Sequence, residues 1–490
     1  MTDINTFIER ATGGKEPDRN SMFRPSMIYD LLHDPFKVWC EFHAPKDQAV
    51  DEVSRYDEIK MRRGVEYENA WVAEHCPGFR KIEPEYGVQA MKNSIQAMME
   101  GIPAIHAPQL WLLSEGIYGK ADVLVRDNSV SSDLGNFHYR VVEIKRSGSL
   151  KEYQVLQAAV YNRILGRIQG YTPEIFTVVL RDSEEDILFS DVNSKIDEML
   201  DKFRNIRNDV EKPEPKGLDK TDAPWRVYGN RLLRERKDLT LLPDIGPAGR
   251  KSLREKLGVE SIRDIYTIPR EILIDKLGER PGTDLYYYAM AYQKNGMVMI
   301  PGSKIKVPHG RRNIYFDFET SDEMHPTEPA HIYLIGAWDG EQNMFYSFLG
   351  RGMEDEPRIF KEFFEYIGNP EGCCLFHWTD FEIGEMREAA KRHPEIAQRI
   401  ESLIASCVDL KEVIKSQVYL PVPTYSIKSV APALGFNWRH KDVGAMESMV
   451  LYWEYLETGD QKKVAKVIDY NEDDCIAMAR IVEAVEIDIH

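Results

Sequence analysis

Residues 314–320 read IYFDFET, and this stretch decides the fold of the C-terminal part of the chain. Its apolar residues predict a β-strand that ends in Asp317 and Glu319. Because alternate side chains of a strand point to one face, the two carboxylates emerge together. Two like charges so close are costly unless a cation lies between them. The stretch therefore predicts a metal site at the end of a strand.

A second motif lies near the C-terminus, where residues 470–485 read YNEDDCIAMARIVEAV. The apolar spacing predicts an amphipathic helix that packs on the sheet. Tyr470 and Asp474 are one helical turn apart and therefore share a face. The tyrosine can hydrogen-bond an attacking water while Asp474 holds the ion.

Together, DFET and Y-x-x-x-D resemble the DEDD exonucleases of the ribonuclease H-like superfamily, in the subgroup that uses tyrosine. The resemblance covers about residues 310–488. It implies a ligand about five residues after a histidine at a strand end. Counting from His377 gives Glu382, and Asp380 is the alternative ligand or a helix N-cap.

The same resemblance implies that Lys428, in the segment PTYSIKSVAPALGF, touches a substrate phosphate. The family generally has aspartate where this chain has Glu382. A structural copy of the domain without activity is therefore the alternative to a working exonuclease.

A separate acidic cluster lies more than 170 residues upstream, in the segments GKADVL, VVEIKRSGS and QAAVY. Asp122 and Glu143 are placed to grip a metal ion, and Lys145 to orient water. Glu143 and Lys145 alternate along a predicted strand, so both side chains reach the same phosphate. Gln157 and Tyr161 lie one helical turn apart and share a face, so both are expected to address the metal site or the nucleic acid.

In order and spacing, residues 22–185 resemble the RecB-like branch of the PD-(D/E)xK nucleases. The resemblance adds a helical glutamate, Glu68, to the site. It implies three metal ligands and one catalytic lysine, namely Glu68, Asp122 and Glu143 as ligands and Lys145 to position water or stabilise charge. Many relatives hold an iron–sulfur cluster with cysteines at a Cys-Pro dipeptide, but this chain has Asp34-Pro35 there, and the sequence predicts no cluster.

Between the two clusters, LLPDIGPAGRKSLREKLGV resembles a helix-hairpin-helix. In that motif Gly246 and Gly249 form a turn whose backbone N–H groups face a phosphate, without reading sequence. Lys251 and Arg254 would add positive charge. A glycine-capped turn between two packing helices is the alternative.

These motifs predict an α/β multidomain fold in a 490-residue chain. A PD-(D/E)xK domain is expected at 20–210, an all-α helix-hairpin-helix module at 225–297 and a ribonuclease H-like domain at 305–490. The charged stretch 208–222 is interpreted as a linker. The net charge of −18 does not exclude nucleic acid, because bound cations invert the local field. The sequence has no apolar run of bilayer length and no signal peptide pattern, which favours a cytosolic protein.

The sequence thus predicts a metal-dependent nuclease that uses Mg²⁺ or Mn²⁺, two ions per site, on single-stranded DNA, with RNA as the other candidate substrate. It contains no P-loop, so ATP is not required and any helicase acts in trans. One alternative is a single working site, with the other domain gripping the strand. Another is a non-catalytic adaptor that recruits a repair or defence helicase.

Overall fold

The computed structural model of the protein describes residues 3–15, 18, 21–83, 85–300, 302, 306–322 and 330–487. The chain divides into two compact units. Unit 1 holds residues 1–53 and 57–229, and unit 2 holds residues 54–56 and 230–490. The predicted domain limits at 20, 305 and 490 fall outside the described residues, and the division into three domains stays a prediction.

Unit 1 combines helices with a mixed sheet of strand order β1-β2-β5-β6-β7-β8 and a separate β3-β4 hairpin. Its strands are β1 Arg80–Lys81, β2 Ala104–His106, β3 Gln109–Leu112, β4 Ile117–Lys120, β5 Val123–Asp127, β6 His138–Ile144, β7 Ile175–Val179 and β8 Glu184–Leu188. Its helices are α1 Ile4–Thr12, α2 Ile28–His33, α3 Pro35–His43, α4 Arg55–His75, α5 Val88–Met99, α6 Glu152–Gln169 and α7 Asn193–Arg207. The first two residues of α4 are grouped with unit 2.

The two faces of β6 pack into different apolar clusters. Tyr139 and Val141 join the main core, which includes the buried side of α6. Val142 and Ile144 pack with Val72 of α4. Since the side chains alternate, the next residue on the α6 side is the fully buried Glu143, which places a carboxylate inside the protein.

Unit 2 contains a sheet of strand order β12-β11-β10-β13-β14, in which β10 is antiparallel to β11 and parallel to β13. Its strands are β9 Val298–Met299, β10 Asn313–Ser321, β11 His331–Asp339, β12 Met344–Leu349, β13 Cys374–His377, β14 Cys407–Asp409 and β15 Val418–Tyr419. Its helices are α8 Arg226–Arg236, α9 Pro247–Leu257, α10 Ile262–Ile265, α11 Arg270–Leu277, α12 Glu279–Lys294, α13 Glu356–Ile367, α14 Asp380–Arg392, α15 Ala397–Ile404, α16 Leu410–Lys415, α17 Ile427–Ala433, α18 Ala445–Thr458 and α19 Gln461–Ile487. The first four residues of α8 are grouped with unit 1.

The alternation along β10 separates an apolar face from an acidic one. Ile314, Phe316 and Phe318 pack into the core beside α13. Asp317 and Glu319 point to the opposite face, where the amphipathic helix α19 lies against β10 and β11. The predicted strand and helix are both confirmed, and the structure confirms a mixed α/β fold of more than one compact unit.

Residues 230–295, which belong to unit 2, are mainly helical, and this region packs on the rest of that unit. The Tyr419 hydroxyl donates to the Asp284 carboxylate at 2.7 Å, and the Tyr419 ring stacks on Tyr287. Residues 208–222 contain no helix or strand. Thr221 is nevertheless buried, and the stretch belongs to unit 1. The predicted linker therefore packs against that unit.

None of the helices in the described part of the chain is long and apolar enough to cross a membrane. The six cysteines are free thiols, and four of them are buried: Cys40, Cys76, Cys373 and Cys475.

Candidate active site

Three carboxylates meet where β10 faces α19. Asp317, Glu319 and Asp474 each offer an oxygen, and these three oxygens lie within 4.8 Å of one another. Glu319 and Asp474 are each only 6% exposed. Among the described residues, no other three Asp, Glu, His or Cys side chains meet as closely. The two motifs that lie more than 150 residues apart in sequence thus form one cluster.

Uncharged donors hold the two carboxylates of β10. The Asn471 amide donates to Asp317 Oδ2 at 2.9 Å and to the Asp317 carbonyl at 3.2 Å. The Ser448 hydroxyl, on α18, donates to Glu319 Oε2 at 2.9 Å. A Cβ at Gly336 on β11 would lie 1.7 Å from Asn471 Oδ1. Glycine is therefore needed there for the Asn471 side chain to pack against the strand.

Asp474 receives two donors on a single oxygen. Lys428 Nζ lies 2.5 Å from Asp474 Oδ1, and the Trp438 indole N–H donates to the same atom at 2.7 Å. Burial first, and then the charge of the nearby Asp474, raise the pKa of Tyr470. The ammonium of Lys428 lies 4.0 Å from the centroids of both the Trp438 and Tyr470 rings.

Glu382 and Asp380 lie in different surroundings on α14. Glu382 is 3% exposed, and its Oε2 atom has no hydrogen-bond partner. That oxygen lies 3.7 Å from His377 Nδ1. Asp380 is exposed. The expectation that Asp380 caps the helix is wrong, because the Thr379 hydroxyl accepts the Phe381 N–H and Asp380 is the first helical residue.

Burial and mutual repulsion shift the titration of this cluster. Burial raises the pKa of Glu319 to about 8, and the charge of Asp474 adds to the shift. The pKa of Asp317 is raised well above its usual range by burial first and then by Asp474 and Glu382. Burial also raises the pKa of Asp474, against the effect of Lys428. Raised pKa values in all three carboxyls mean that the cluster binds either protons or a cation to offset its negative charge.

The residues present fit a hard divalent cation. Carboxylate oxygens are the ligands that Mg²⁺ and Mn²⁺ prefer. The three clustered carboxylates carry more negative charge than the single Lys428 ammonium offsets. The buried Glu382 oxygen without a partner is a further polar group that a cation would satisfy. The cluster can therefore bind a metal ion.

The acidic cluster of unit 1 is organised around a lysine. Lys145 Nζ lies 2.8 Å from Glu143 Oε2 and 3.2 Å from Asp122 Oδ2. Asp122 also accepts the Ile144 N–H at 2.8 Å, and Glu143 accepts the Asp122 N–H at 3.2 Å. Burial and the Asp122 charge raise the pKa of Glu143 to about 8. Burial would lower the pKa of Lys145, but the two carboxylates raise it.

Helix α6 brings its predicted pair to the same cluster. The Gln157 amide donates to Glu143 Oε2 at 3.4 Å. Burial, and then the charges of Glu143 and Asp122, raise the pKa of Tyr161. Tyr161 is buried beside Gly119, where a Cβ would lie 2.8 Å from the ring. The structure therefore brings Lys145 and Gln157 into contact with the acidic pair Asp122 and Glu143.

Glu68 has a different partner. Its Oε1 atom lies 2.8 Å from Nε2 of the buried His106, on β2. Glu68, Asp122 and Glu143, all of which are described, do not form a group of three with ligand atoms within 4.8 Å of one another.

The predicted phosphate-binding turn begins helix α9. Gly246 is its N-cap, Pro247 is the first helical residue and Gly249 already lies in the first turn. Lys251 is 79% exposed and lies 3.9 Å from Glu255, and Arg254 pairs with Glu260 at 2.7 Å. One exposed lysine thus stands near a helix N-terminus.

Sequence reasoning assigns no role to three side chains that hold the carboxylates of unit 2, namely Asn471, Ser448 and Trp438. Asn471 lies three residues before Asp474, so helical spacing could have identified it. Ser448 and Trp438 come from segments whose sequence gives no indication of this role.

Residues 314–486 match the RNase_H_2 family model of the RNase_H superfamily. The matched region contains the three-carboxylate cluster. No curated protein matches the chain. The C-terminal domain is therefore ribonuclease H-like, which indicates a role in nucleic-acid hydrolysis. The RecB-like and helix-hairpin-helix assignments stay predictions.

Proposed function

We propose that the protein is a metal-dependent nuclease that cleaves phosphodiester bonds of single-stranded DNA in the ribonuclease H-like domain. The observation that carries the proposal is the convergence of Asp317, Glu319 and Asp474 within 4.8 Å in a domain of this superfamily. Three buried carboxylates so close together repel one another, and a bound cation relieves that repulsion.

In the proposed site, Asp317, Glu319, Asp474 and Glu382 hold Mg²⁺ or Mn²⁺, two ions as in other carboxylate nucleases. When bound, such ions polarise the phosphate, lower the pKa of water and neutralise charge on the leaving oxygen. Glu382 is preferred to Asp380 as the fourth ligand because its carboxylate is buried beside the cluster.

Tyr470 is proposed to act on the attacking water and Lys428 on the nucleic-acid strand. The Tyr470 hydroxyl, one turn before Asp474 on α19, orients the attacking water. Burial raises the pKa of Tyr470, so the phenol stays protonated at neutral pH and can donate. The ammonium of Lys428, 40% exposed, reaches a phosphate of the strand. The expected reaction is removal of nucleotides from the 3′ end.

A second nuclease site is proposed in unit 1. Asp122 and Glu143 would hold metal there, with Glu68 as a third ligand, and Lys145 would position water. The contacts of Lys145 with both carboxylates support this arrangement. Gln157 and Tyr161 support Glu143 from α6.

We also propose that Gly246, Gly249, Lys251 and Arg254 bind phosphates of the nucleic-acid strand. RNA is the second candidate substrate. The protein is proposed to act in the cytosol, without ATP, and with any helicase supplied in trans.

The test is digestion of end-labelled single-stranded DNA and RNA with Mn²⁺. It compares the wild type with Asp122→Ala, Asp317→Ala and the double variant. The expected result is a loss of 3′ trimming in Asp317→Ala, a loss of a different product ladder in Asp122→Ala and no product in the double variant.

The matched control is Glu388→Ala, which removes an exposed carboxylate of α14 that pairs with Lys391 at 2.6 Å, and this variant should cleave normally. If only one of the two aspartate variants loses product, the other unit binds the strand without cutting. A wild type that binds strands but leaves them intact would contradict a nuclease and favour the adaptor.

A further inference from the structure

The loop between α17 and α18 contributes an aromatic side chain to the candidate site. Trp438 is half-buried, and its indole N–H donates to Asp474 Oδ1 at 2.7 Å. Lys428 Nζ approaches the same oxygen at 2.5 Å. Donors that fix a ligand oxygen decide which way its lone pairs point, and a carboxylate has about four of them to share.

The same indole ring also fixes the lysine. The ammonium of Lys428 lies between the rings of Trp438 and Tyr470, 4.0 Å from each centroid. Attraction of a cation by two ring faces holds it in place while leaving its outer side to solvent. One residue therefore touches both the acidic ligand and the basic group beside it.

A network of charges fastens this loop to α19. The Arg439 N–H and Nε donate to the two oxygens of the buried Asp473, at 2.7 and 2.8 Å. A second nitrogen of Arg439 bonds to Glu472 at 2.6 Å, and His440 bonds to Asp469 at 3.0 Å. The loop that carries Trp438 is thus anchored to the helix that carries Asp474.

We propose that Trp438 is a positioning residue of the ribonuclease H-like site, which sets the orientation of Asp474 through its N–H and that of Lys428 through its ring. The inference rests on the proposed metal-dependent function, which it deepens. Loss of a side chain that orients a metal ligand typically weakens metal binding by roughly 10- to 100-fold.

The experiment measures Mn²⁺ binding to the full chain by titration calorimetry, without substrate. The binding event abolished by Asp317→Asn defines the site. We expect Trp438→Phe, which keeps a ring but removes the N–H, to raise the Kd of that event about tenfold. Trp438→Leu, which removes the ring as well, should weaken binding at least as much and also reduce the salt-dependent binding of a single strand in Ca²⁺.

A matched control is available in unit 1. The Trp39 indole N–H donates to Asp209 Oδ1 at 2.9 Å, so Trp39→Phe removes the same kind of bond away from the site. Its Mn²⁺ affinity should equal that of the wild type. Should Trp438→Phe fail to fold by circular dichroism, Arg439→Ala tests the same anchoring without touching Asp474, and it should raise the Kd likewise.

Unchanged Mn²⁺ affinity in folded Trp438 and Arg439 variants would overturn the positioning role while leaving the nuclease proposal intact. A protein that binds Mn²⁺ as expected but cleaves no strand would overturn the nuclease and leave the positioning role standing. Absence of any Asp317-dependent Mn²⁺ binding would overturn both.

Discussion

In unit 1, the ammonium of Lys145 lies within 3.2 Å of both Asp122 and Glu143. In unit 2, Lys428 bonds to Asp474, whereas Asp317 and Glu319 are held by the uncharged donors Asn471 and Ser448. Both clusters contain a glutamate whose pKa is raised to about 8 by burial. The negative charge of the first cluster is therefore largely offset by Lys145. The three carboxylates of the second cluster require protons or an added cation as well as Lys428.

The largest expected difference concerns the two lysines. Lys145→Met should destabilise the protein by about 3–5 kcal/mol, because it leaves two carboxylates in unit 1 without their buried partner. Lys428→Met should cost about 0–1 kcal/mol, since the side chain is 40% exposed and its ion pair is screened by solvent. Urea denaturation of both variants measures the difference. Equal losses would break the comparison.

The next prediction concerns metal and stability. Mn²⁺ at about 100 times its Kd should stabilise the folded protein by about 2.7 kcal/mol, seen as a rise in Tm by calorimetry. Asp317→Asn should remove most of this rise, because the second cluster has three carboxylates and only one ammonium, that of Lys428. Glu143→Gln should keep most of it. The reverse pattern would show that unit 1 is the main metal site.

A pH titration sharpens the difference further. Because the pKa of Glu319 is about 8, this carboxyl is protonated below that pH in the metal-free folded protein and must lose its proton to bind metal. Mn²⁺ affinity should therefore fall as pH is lowered through 8, by up to about tenfold per pH unit for each proton released.

The released protons can be counted by calorimetry at pH 7 in two buffers of different ionisation enthalpy. Glu319→Gln has no proton to lose and should release about one proton fewer. Without metal, the raised pKa gives the opposite slope: the folded state binds more protons than the unfolded one, so stability falls as pH rises from about 5 to 8. The same count in the variant and the wild type would show that this carboxyl is already ionised.

The smallest effect is expected at Glu68. Its carboxylate bonds to His106, and glutamine can still accept that bond. Glu68→Gln should therefore change unit 1 cleavage, measured in the Asp317→Ala background, by about tenfold or less. Glu143→Gln is the reference and should lose far more. Equal losses would show that the charge of Glu68 is as essential as that of Glu143 and would make the two clusters more alike.

Much of unit 2 could be predicted from sequence because its motifs follow local periodicities. Alternation along 314–320 gave the strand and its acidic face, and the four-residue spacing of Tyr470 and Asp474 gave the helix face. Their meeting could be expected only through a family resemblance, since the strand and the helix pair through tertiary packing. The proposed preference for Glu382 over Asp380 rests on the burial of Glu382, which the spacing alone does not predict.

The supporting residues were beyond such reasoning. Ser448 acts from α18, and Trp438 acts from a loop that no periodic pattern describes. The bond between Glu68 and His106 joins a helix to a strand 38 residues away, and no local sequence pattern around either residue specifies it. Side chains that orient other side chains depend on the final packing rather than on spacing.

Cys475 follows Asp474 directly on α19 and is fully buried, as is Cys40 on α3 of unit 1. Burial raises the pKa of both thiols far from the range in which reactive thiolate forms. An alkylating reagent therefore modifies either thiol only when the surrounding structure opens. The rates at which the two natural thiols are labelled would then time the opening of each unit separately within one molecule.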